Sequence, residues 1–494
     1  MSPSRQLWSA WPRSPSKTLL VVCLAVVVGT AAHAFWEHPT WPWGWVSAAL
    51  GAVALAWSWP RGTARRLLFL ALAFCLAAVA RYDFVLQTPS AYQAPPSGNS
   101  EFTGRVRSVS GSATDFVAED VKIRGQPVPF SVAVSGPLPS NLLPGDTVAW
   151  TCRPQAASRD DAGNSLLLLG QPGWRCPVSE VRRVTAGPLT INRLAAMARL
   201  RLRAQAAAVL PETESALLMG LFAGERSGLP PKLSQAFRDT GTAHVLAVSG
   251  TNVSQVTIFV LIALALLAVP RPQAILLAAF FVLAFTVFVG FGASVIRAAL
   301  MGGWQLAAGL LGRRYDAVIA LSLAAAVMLL ANPLILRHDI GFRLSFAAVV
   351  GLQMFRSHFK AFFARRLPDF VADALGTALA ATLMTAPICL FDFGILALVS
   401  PLANLFVEKL VELGMLLGLA AIVASVLCPP LGVLFGLLAW LPLKLLVAAV
   451  SAFGLVPPLP LTISFLDLVV AYALLLWWAW HLRQREKERL NAIL

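Results

Sequence analysis

Runs of apolar residues long enough to enter a bilayer recur along this chain, and they restrict its fold more than any other feature. They lie at about 17–35, 45–59, 66–81, 252–269, 273–290, 295–311, 316–331, 340–355, 371–391, 403–427, 431–455 and 464–481. Several approach or exceed the roughly 18 residues that suggest a membrane helix. Charged residues are absent from the middle of most of them. Hydrophobic residues make up 57% of the 494 positions and charged ones only 13%, which excludes an ordinary soluble globular protein. Lipid offers no partner to a free peptide group, so the spanning segments must be helices. The reading is a polytopic α-helical membrane protein of about 12 spans, some broken or re-entrant.

Orientation follows from the first connections. "WEHPTWPWGW" is rich in Trp and suits a membrane interface, whereas "PRGTARR" is basic and belongs in the cytoplasm. The N-terminus is then inside, and the long polar segment 91–185 is outside. No small-residue cleavage site follows the first run, so Lys17–Phe35 reads as a retained helix. The basic points Arg313–Arg314, Arg356, Lys360, Arg365 and Arg366 fall inside, as does the tail "HLRQREKERL". That holds only if "FGILALVSPLAN" (393–404) does not cross by itself, which predicts a half-helix or re-entrant element there. The resulting divisions are N-terminal membrane helices at 1–90, an inserted domain at 91–185, an amphipathic helix and connection at 186–243, a membrane domain at 244–481 and a cytoplasmic tail at 482–494.

Segment 91–185 changes pattern. "EFTGRVRSV" alternates Phe102 and Val106 with Arg105 and Arg107; "VPFSVAVSG" alternates through Val128, Phe130, Val132 and Val134; "LPGDTVAWTC" puts Val148, Trp150 and Cys152 on one face. Short alternating strands between Gly, Pro and Asp turns predict a small β-barrel of OB-like type or a sandwich. Acids, Asp146 among them, nearly balance the basic residues, which favours a structural domain over a strong nucleic-acid binder. Cys152 and Cys176 both fall in this segment, and outside the cell they can form a disulfide. Downstream, Ile191, Leu194, Ala198 and Leu202 share a helix face, with Arg199 and Arg203 elsewhere. That pattern suits an interfacial helix whose arginines meet lipid phosphates.

Polar residues interrupt the apolar runs at a few places. Ser249-Gly250-Thr251-Asn252 breaks "HVLAVSGTNVSQV", where Asn252 can cap the following helix and Gly250 allows close backbone approach. A helix start there would favour an anion; a plain loop, cap and helix is the alternative. Arg297 opens an apolar helix, and Asp339 and Arg343 are spaced for an ion pair. Asp392 ends a span, Asn404 follows Pro401, and Glu408 lies just beyond. Intramembrane ionisable groups are costly and often mark a pathway. The net charge of +15 fits positive cytoplasmic loops, anionic lipid or a polyanion. No GxxxxGK[ST], HExxH or GxSxG sequence occurs, so no ATPase, metal or hydrolase motif is legible and no cofactor is expected. Ser249 with His244 five residues before it leaves a membrane-embedded hydrolase as a rival.

Four stretches, "TESALLMGLFAGERSGLPPKLSQAFRDTGTAHVLAVSGTNVSQV" (213–256), "GASVIRAALMGG" (292–303), "NPLILRHDIGFRLSFAAVVGL" (332–352) and "APICLFDFGILALVSPLANLF" (386–406), resemble in order the competence-domain signature of ComEC-type DNA-uptake channels. The resemblance covers about 190–430, and the β-segment is similar to the family's extracellular OB-like domain. It implies a bacterial inner-membrane channel passing single-stranded DNA into the cytoplasm during natural transformation. It also implies a periplasmic or surface DNA receptor and a separate nuclease, because no HxHxDH sequence of the metallo-β-lactamase-like domain carried by many relatives follows the last span. "SGTN" departs from the signature, where a bulkier apolar residue and His usually follow the Gly. The expected DNA path is Ser249, Gly250, Asn252, Arg297, Arg343 and Asn404, with His244, Asp239, Asp339, Asp392 and Glu408 in structural or coupling roles. Inward movement of phosphates opposes the membrane potential, so a cytosolic ATPase motor or proton coupling is needed. A transporter or exporter of a smaller anion is the other rival.

Overall fold

A computed structural model describes residues 15–34, 42–58, 64–86, 96, 98–109, 115–139, 142–156, 173–178, 180–225, 228–246 and 248–493. The orientation argument from the Trp-rich and basic connections rests partly on residues outside that description. Three helices come first: α1 (Pro15–Ala34), α2 (Pro42–Ser58) and α3 (Ala64–Leu86). A strand-rich segment follows with β1 (Ser100–Val109), β2 (Asp115–Ile123), β3 (Gln126–Pro127), β4 (Val132–Ser135), β5 (Thr147–Cys152), β6 (Gln155–Ala156), β7 (Trp174–Pro177) and β8 (Val181–Thr185). Then come α4 (Ile191–Val209), α5 (Glu212–Ala223), α6 (Pro231–Asp239), α7 (Ala243–Leu246), α8 (Gly250–Leu266), α9 (Arg271–Val289), α10 (Ala293–Leu310), α11 (Ala317–Ala331), α12 (Ile335–His338), α13 (Ile340–Phe363) and α14 (Asp369–Phe393). The remainder is β9 (Ile395–Leu396), α15 (Ser400–Leu427), α16 (Pro429–Phe453), β10 (Leu459–Pro460) and α17 (Phe465–Ile493).

Each of the expected apolar runs falls on a helix. Among the described residues, seven helices are both long and apolar enough to cross a membrane, and α8 and α11 are shorter apolar helices. The protein is therefore a polytopic helical membrane protein. Two compact units divide it: residues 1–198 with 256–340, and residues 199–255 with 341–494.

In the first unit, α1, α3 and α11 share a core of Cys23, Val26, Ala78 and Ala326. The α1 and α3 backbones approach closely, since a Cβ on Gly29 would sit 2.3 Å from the Cys75 carbonyl oxygen. Polar side chains gather where these helices end. Arg337 Nη1 donates to Ala34 O at 2.9 Å, and Arg81 donates to Leu330 O and Ala331 O at 3.3 and 3.2 Å. Cations thus meet carbonyls that the helix ends leave open. His33 Nε2 lies 2.5 Å from Asp83 Oδ1, both side chains buried, with the Tyr82 ring edge-on to the imidazole.

The strands of this unit have the expected alternation. Phe102 and Val106 are buried while Arg105 and Arg107 are exposed, because successive side chains of a strand point to opposite faces. The core joins Phe102, Phe116, Val132, Val134, Val148, Trp150 and Trp174; Phe102 stacks on Trp150 at 5.6 Å, and Phe130 meets Trp174 edge-on at 4.9 Å. The strand order is β6-β7-β4-β2-β1-β5-β8, with β3 on β2 and, among the described residues, only β4–β7 parallel. Two residues separate β5, which pairs with β1, from β6, which pairs with β7. Cys152 and Cys176 form the expected disulfide, with Cα atoms 5.6 Å apart.

Asp146, at the turn before β5, is wholly buried and takes three hydrogen bonds and one ion-pair contact. The hydrogen bonds come from Leu143 N at 3.0 Å, Gly187 N at 2.9 Å and Arg193 Nη1 at 2.6 Å, and the ion-pair contact from Arg183 Nε at 3.3 Å. It therefore ties β5, β8 and the first turn of α4 together. Burial pushes its carboxyl up, but the Gly187 N–H, the Arg193 guanidinium and the Leu143 N–H outweigh burial and hold it below the usual aspartate value.

In the second unit, α13 and α14 run antiparallel. A Cβ on Gly351 would lie 2.2 Å from Ala380 O, so these backbones touch. Arg356 donates to Asp373 at 2.8 Å, and Lys360 to Asp369 at 3.1 Å. Phe355, Ala380, Met384 and Ala479 form a core that joins α17 to the pair. Helix α16 packs along α15, with Leu443 against Gly414, while Leu218 of α5 fills the space over Gly418. Arg203 of α4 pairs with Glu225, and Arg199 lies in the field of the same carboxylate. A protein carboxylate, Glu225 beyond the end of α5, thus serves as a counter-ion for these arginines. Ile191, Leu194 and Leu200 of α4 remain exposed.

Of the half-helix or re-entrant element expected over 393–404, the half-helix does not form: α14 ends at Gly394, whose left-handed φ of 65° stops it, and α15 begins at Ser400. Between them β9 pairs with β10, and Leu461 N donates to Gly394 O at 3.0 Å. A strand pair therefore satisfies the backbone of this interruption. Asp339 sits between α12 and α13, and the carboxylate bonded to Arg343 at 3.0 Å is that of Asp392.

Candidate nucleic-acid passage

Helix α8 starts at the polar break. Ser249 Oγ accepts from Asn252 N at 3.4 Å and donates to Asn252 Oδ1 at 2.9 Å, the pattern of an N-cap serine. Asn252 is buried and its Nδ2 donates to Leu221 O at 2.8 Å, linking the start of α8 to the last turn of α5. One turn on, Gln255 is buried with Oε1 unpartnered among the described residues. The chain before the break is α7, where His244 Nδ1 lies 3.2 Å from Gly241 O. Ser249 thus directs its proton to Asn252, and His244 faces a carbonyl.

Gly241 has a φ of 69°, and a Cβ there would come within 3.0 Å of both Ala397 Cβ and Ser400 Oγ. A left-handed glycine is needed so that the loop after α6 can lie on the start of α15. Ser400 Oγ in turn accepts from Asn404 Nδ2 at 3.1 Å. Two distant polar stretches, 239–252 and 400–404, meet at this point, together with the buried Thr240–Thr242 hydroxyl pair at 2.7 Å. Asp239 accepts from Gln235 at 2.7 Å on the exposed side of α6.

Arg343, in the first turn of α13, donates from Nη2 to Asp392 Oδ1 at 3.0 Å, near the end of α14. Arg343 Nε and Asp392 Oδ2 are buried and have no hydrogen-bond partner among the described residues. Glu408 is exposed on α15 beside the Lys409–Glu412 pair, and the charges of Glu408 and Lys409 reach Asp373 and Arg356. Arg297 is buried in α10 of the first unit. The remaining expected path residues, Ser249, Gly250, Asn252, Arg343 and Asn404, all belong to the second. No group of three or more His, Cys, Asp or Glu side chains among the described residues is placed to hold a metal ion.

Sequence reasoning missed several buried polar groups. Glu214 is buried at the start of α5 with Lys444 Nζ 3.8 Å away; its sequence signal was an acid in a helix's first turn. Asp146 read only as a turn residue, and Gln255 carried no distinguishing signal.

The sequence profile of the Competence protein family matches residues 221–485, more than half the chain. The chain belongs to the competence protein family. The matched segment contains every expected path residue. The chain is also similar to ComE operon protein 3 of Bacillus subtilis (strain 168), with 29% identity over 228 residues, 46% of this chain. The alignment spans 28% of that relative's length. No solved structure matches the chain.

Proposed function

We propose that this competence-family protein is an inner-membrane channel that passes single-stranded DNA into the cytoplasm during natural transformation. The observation that carries the reading is the polar junction in the family-matched segment. There a helix break capped by Ser249 and anchored through Asn252 stands with the Gly241–Ser400–Asn404 approach. Polar side chains and open helix starts of this kind are tolerated at membrane depth only where they line a cavity or are sealed in protein. Ser249, Gly250, Asn252, Arg343 and Asn404 of the second unit line the path, with Arg343 bringing positive charge toward phosphates, and Arg297 is the path residue of the first unit.

The strand segment acts outside the membrane as an OB-like barrel. The near-continuity of β5, next to last in the strand order, with β6, the first, supports closure. The disulfide supports an oxidising exterior. Both termini are cytoplasmic. Each inward phosphate works against about 2.3 kcal/mol per 100 mV, so a cytosolic ATPase supplies the force. A surface receptor delivers the DNA and a separate nuclease removes the other strand.

Deleting the gene and following labelled DNA tests this reading. Loss of transformation, with DNA held outside the cytoplasm, is the expected result. Unchanged transformation with altered efflux of a small anion would transfer the reading to the anion-transporter rival.

A further inference from the structure

A guanidinium and a carboxylate ordinarily meet through two parallel N–H···O bonds. Arg343 and Asp392 make one, Nη2 to Oδ1 at 3.0 Å. The atoms that would make the second, Arg343 Nε and Asp392 Oδ2, are both buried and unpartnered among the described residues. The side chains are only 20% and 12% exposed, so neither spare atom is compensated by bulk water. Leaving a buried donor and acceptor open is costly. The helices carrying them are held backbone to backbone at Gly351. The pair therefore has one binding position unfilled, next to a charge that is already neutralised.

We propose that Asp392 is the resting counter-ion of Arg343 and that a DNA phosphodiester takes its place during passage. The pair then acts as a latch against single-atom anions such as chloride. This rests on the reading that Arg343 lines the DNA path. A bare guanidinium in a hydrated corridor would attract chloride; with Asp392 on it, the net charge is zero. A phosphodiester has two non-bridging oxygens set to match the guanidinium fork. One oxygen takes the open Nε while Asp392 keeps Nη2, and the second then displaces Asp392. The guanidinium charge stays compensated at every stage. Chloride, a single atom, cannot replace both bonds, so it does not open the latch.

The test uses the full-length protein in phosphatidylcholine vesicles, measuring chloride efflux. Wild-type vesicles stay tight, whereas Asp392→Asn releases chloride at least about tenfold faster, the scale set by one lost charge-assisted bond. A short single-stranded oligonucleotide slows that leak, and the double variant Arg343→Gln/Asp392→Asn is tight again. Wild-type efflux from a correctly eluting Asp392→Asn protein overturns the latch. Should Asp392→Asn not fold, Arg343→Lys serves: it keeps the ion pair but lacks the fork. It predicts tight vesicles with DNA uptake down about tenfold, and undiminished uptake overturns the proposal. A defective Arg343→Gln beside a tight Asp392→Asn would remove the latch alone. Full DNA uptake by Arg343→Gln would remove Arg343 from the path as well.

Discussion

Asp146, buried in the strand-rich segment, and Asp392, partly buried in the helical region, both face arginine, yet they are bonded very differently. Asp146 takes two backbone N–H groups and two guanidinium groups. Asp392 takes one bond and leaves an oxygen open opposite an open Arg343 nitrogen. A saturated charge fixes geometry, because any movement breaks several bonds together. A half-made pair has somewhere to go. The contrast separates a carboxylate that holds elements together from one that can exchange partners.

The largest effect is expected at the half-made pair. Arg343→Glu places two carboxylates together and should lower transformation by about a hundredfold or more at normal expression, on the scale of a broken buried ion pair. Near-normal transformation would erase the functional half of the contrast. Asp146→Asn should act on folding instead, lowering stability of the full-length protein by about 3 kcal/mol, read as a fall in its unfolding midpoint. An unchanged midpoint would mean that the four contacts are not holding the junction.

The disulfide sharpens the same point. Replacing Cys152 and Cys176 by Ala should cost about 3 kcal/mol for a loop of this length, with the loss confined to the strand segment in a proteolysis time course. Cleavage spread evenly along the chain would contradict a locally stabilised domain. Acid should act on Asp146 in a defined direction. Its folded pKa is depressed, so its contribution is present above the ordinary aspartate value and is lost as pH falls through the lower folded value. A titration of cleavage within the strand segment should stay flat across neutral pH and rise only in strong acid. The smallest effect belongs to Ser249→Ala, which removes a helix cap worth about 1 kcal/mol and should leave substantial DNA uptake. Complete loss of uptake in a folded Ser249→Ala protein would revive the hydrolase rival.

Features set by short spacing were legible in the sequence. The alternation of Phe102 and Val106 with Arg105 and Arg107 places β1, and apolar length places the helices. The Ser249–Asn252 break is where α8 starts. Partners set by packing were not legible. Arg343 lies 49 positions from Asp392, and His33 lies 50 from Asp83, distances at which periodicity carries no information. Short spacing points to Asp339 beside Arg343, whereas Asp392 could be found only by packing. The stretch 393–404 reads as a half-helix or re-entrant element from the charge-based topology, and the partners of its backbone, residues 459–461, lie too far along the chain for spacing to show them.

The most direct test follows labelled DNA in cells carrying wild-type protein, no protein or Arg343→Glu at equal membrane levels. The account predicts that the labelled strand reaches the cytoplasm with wild type and halts outside the inner membrane in the other two. Cytoplasmic label arriving at the wild-type rate in the Arg343→Glu strain would contradict a DNA path through Arg343, and arrival without the protein would contradict the channel.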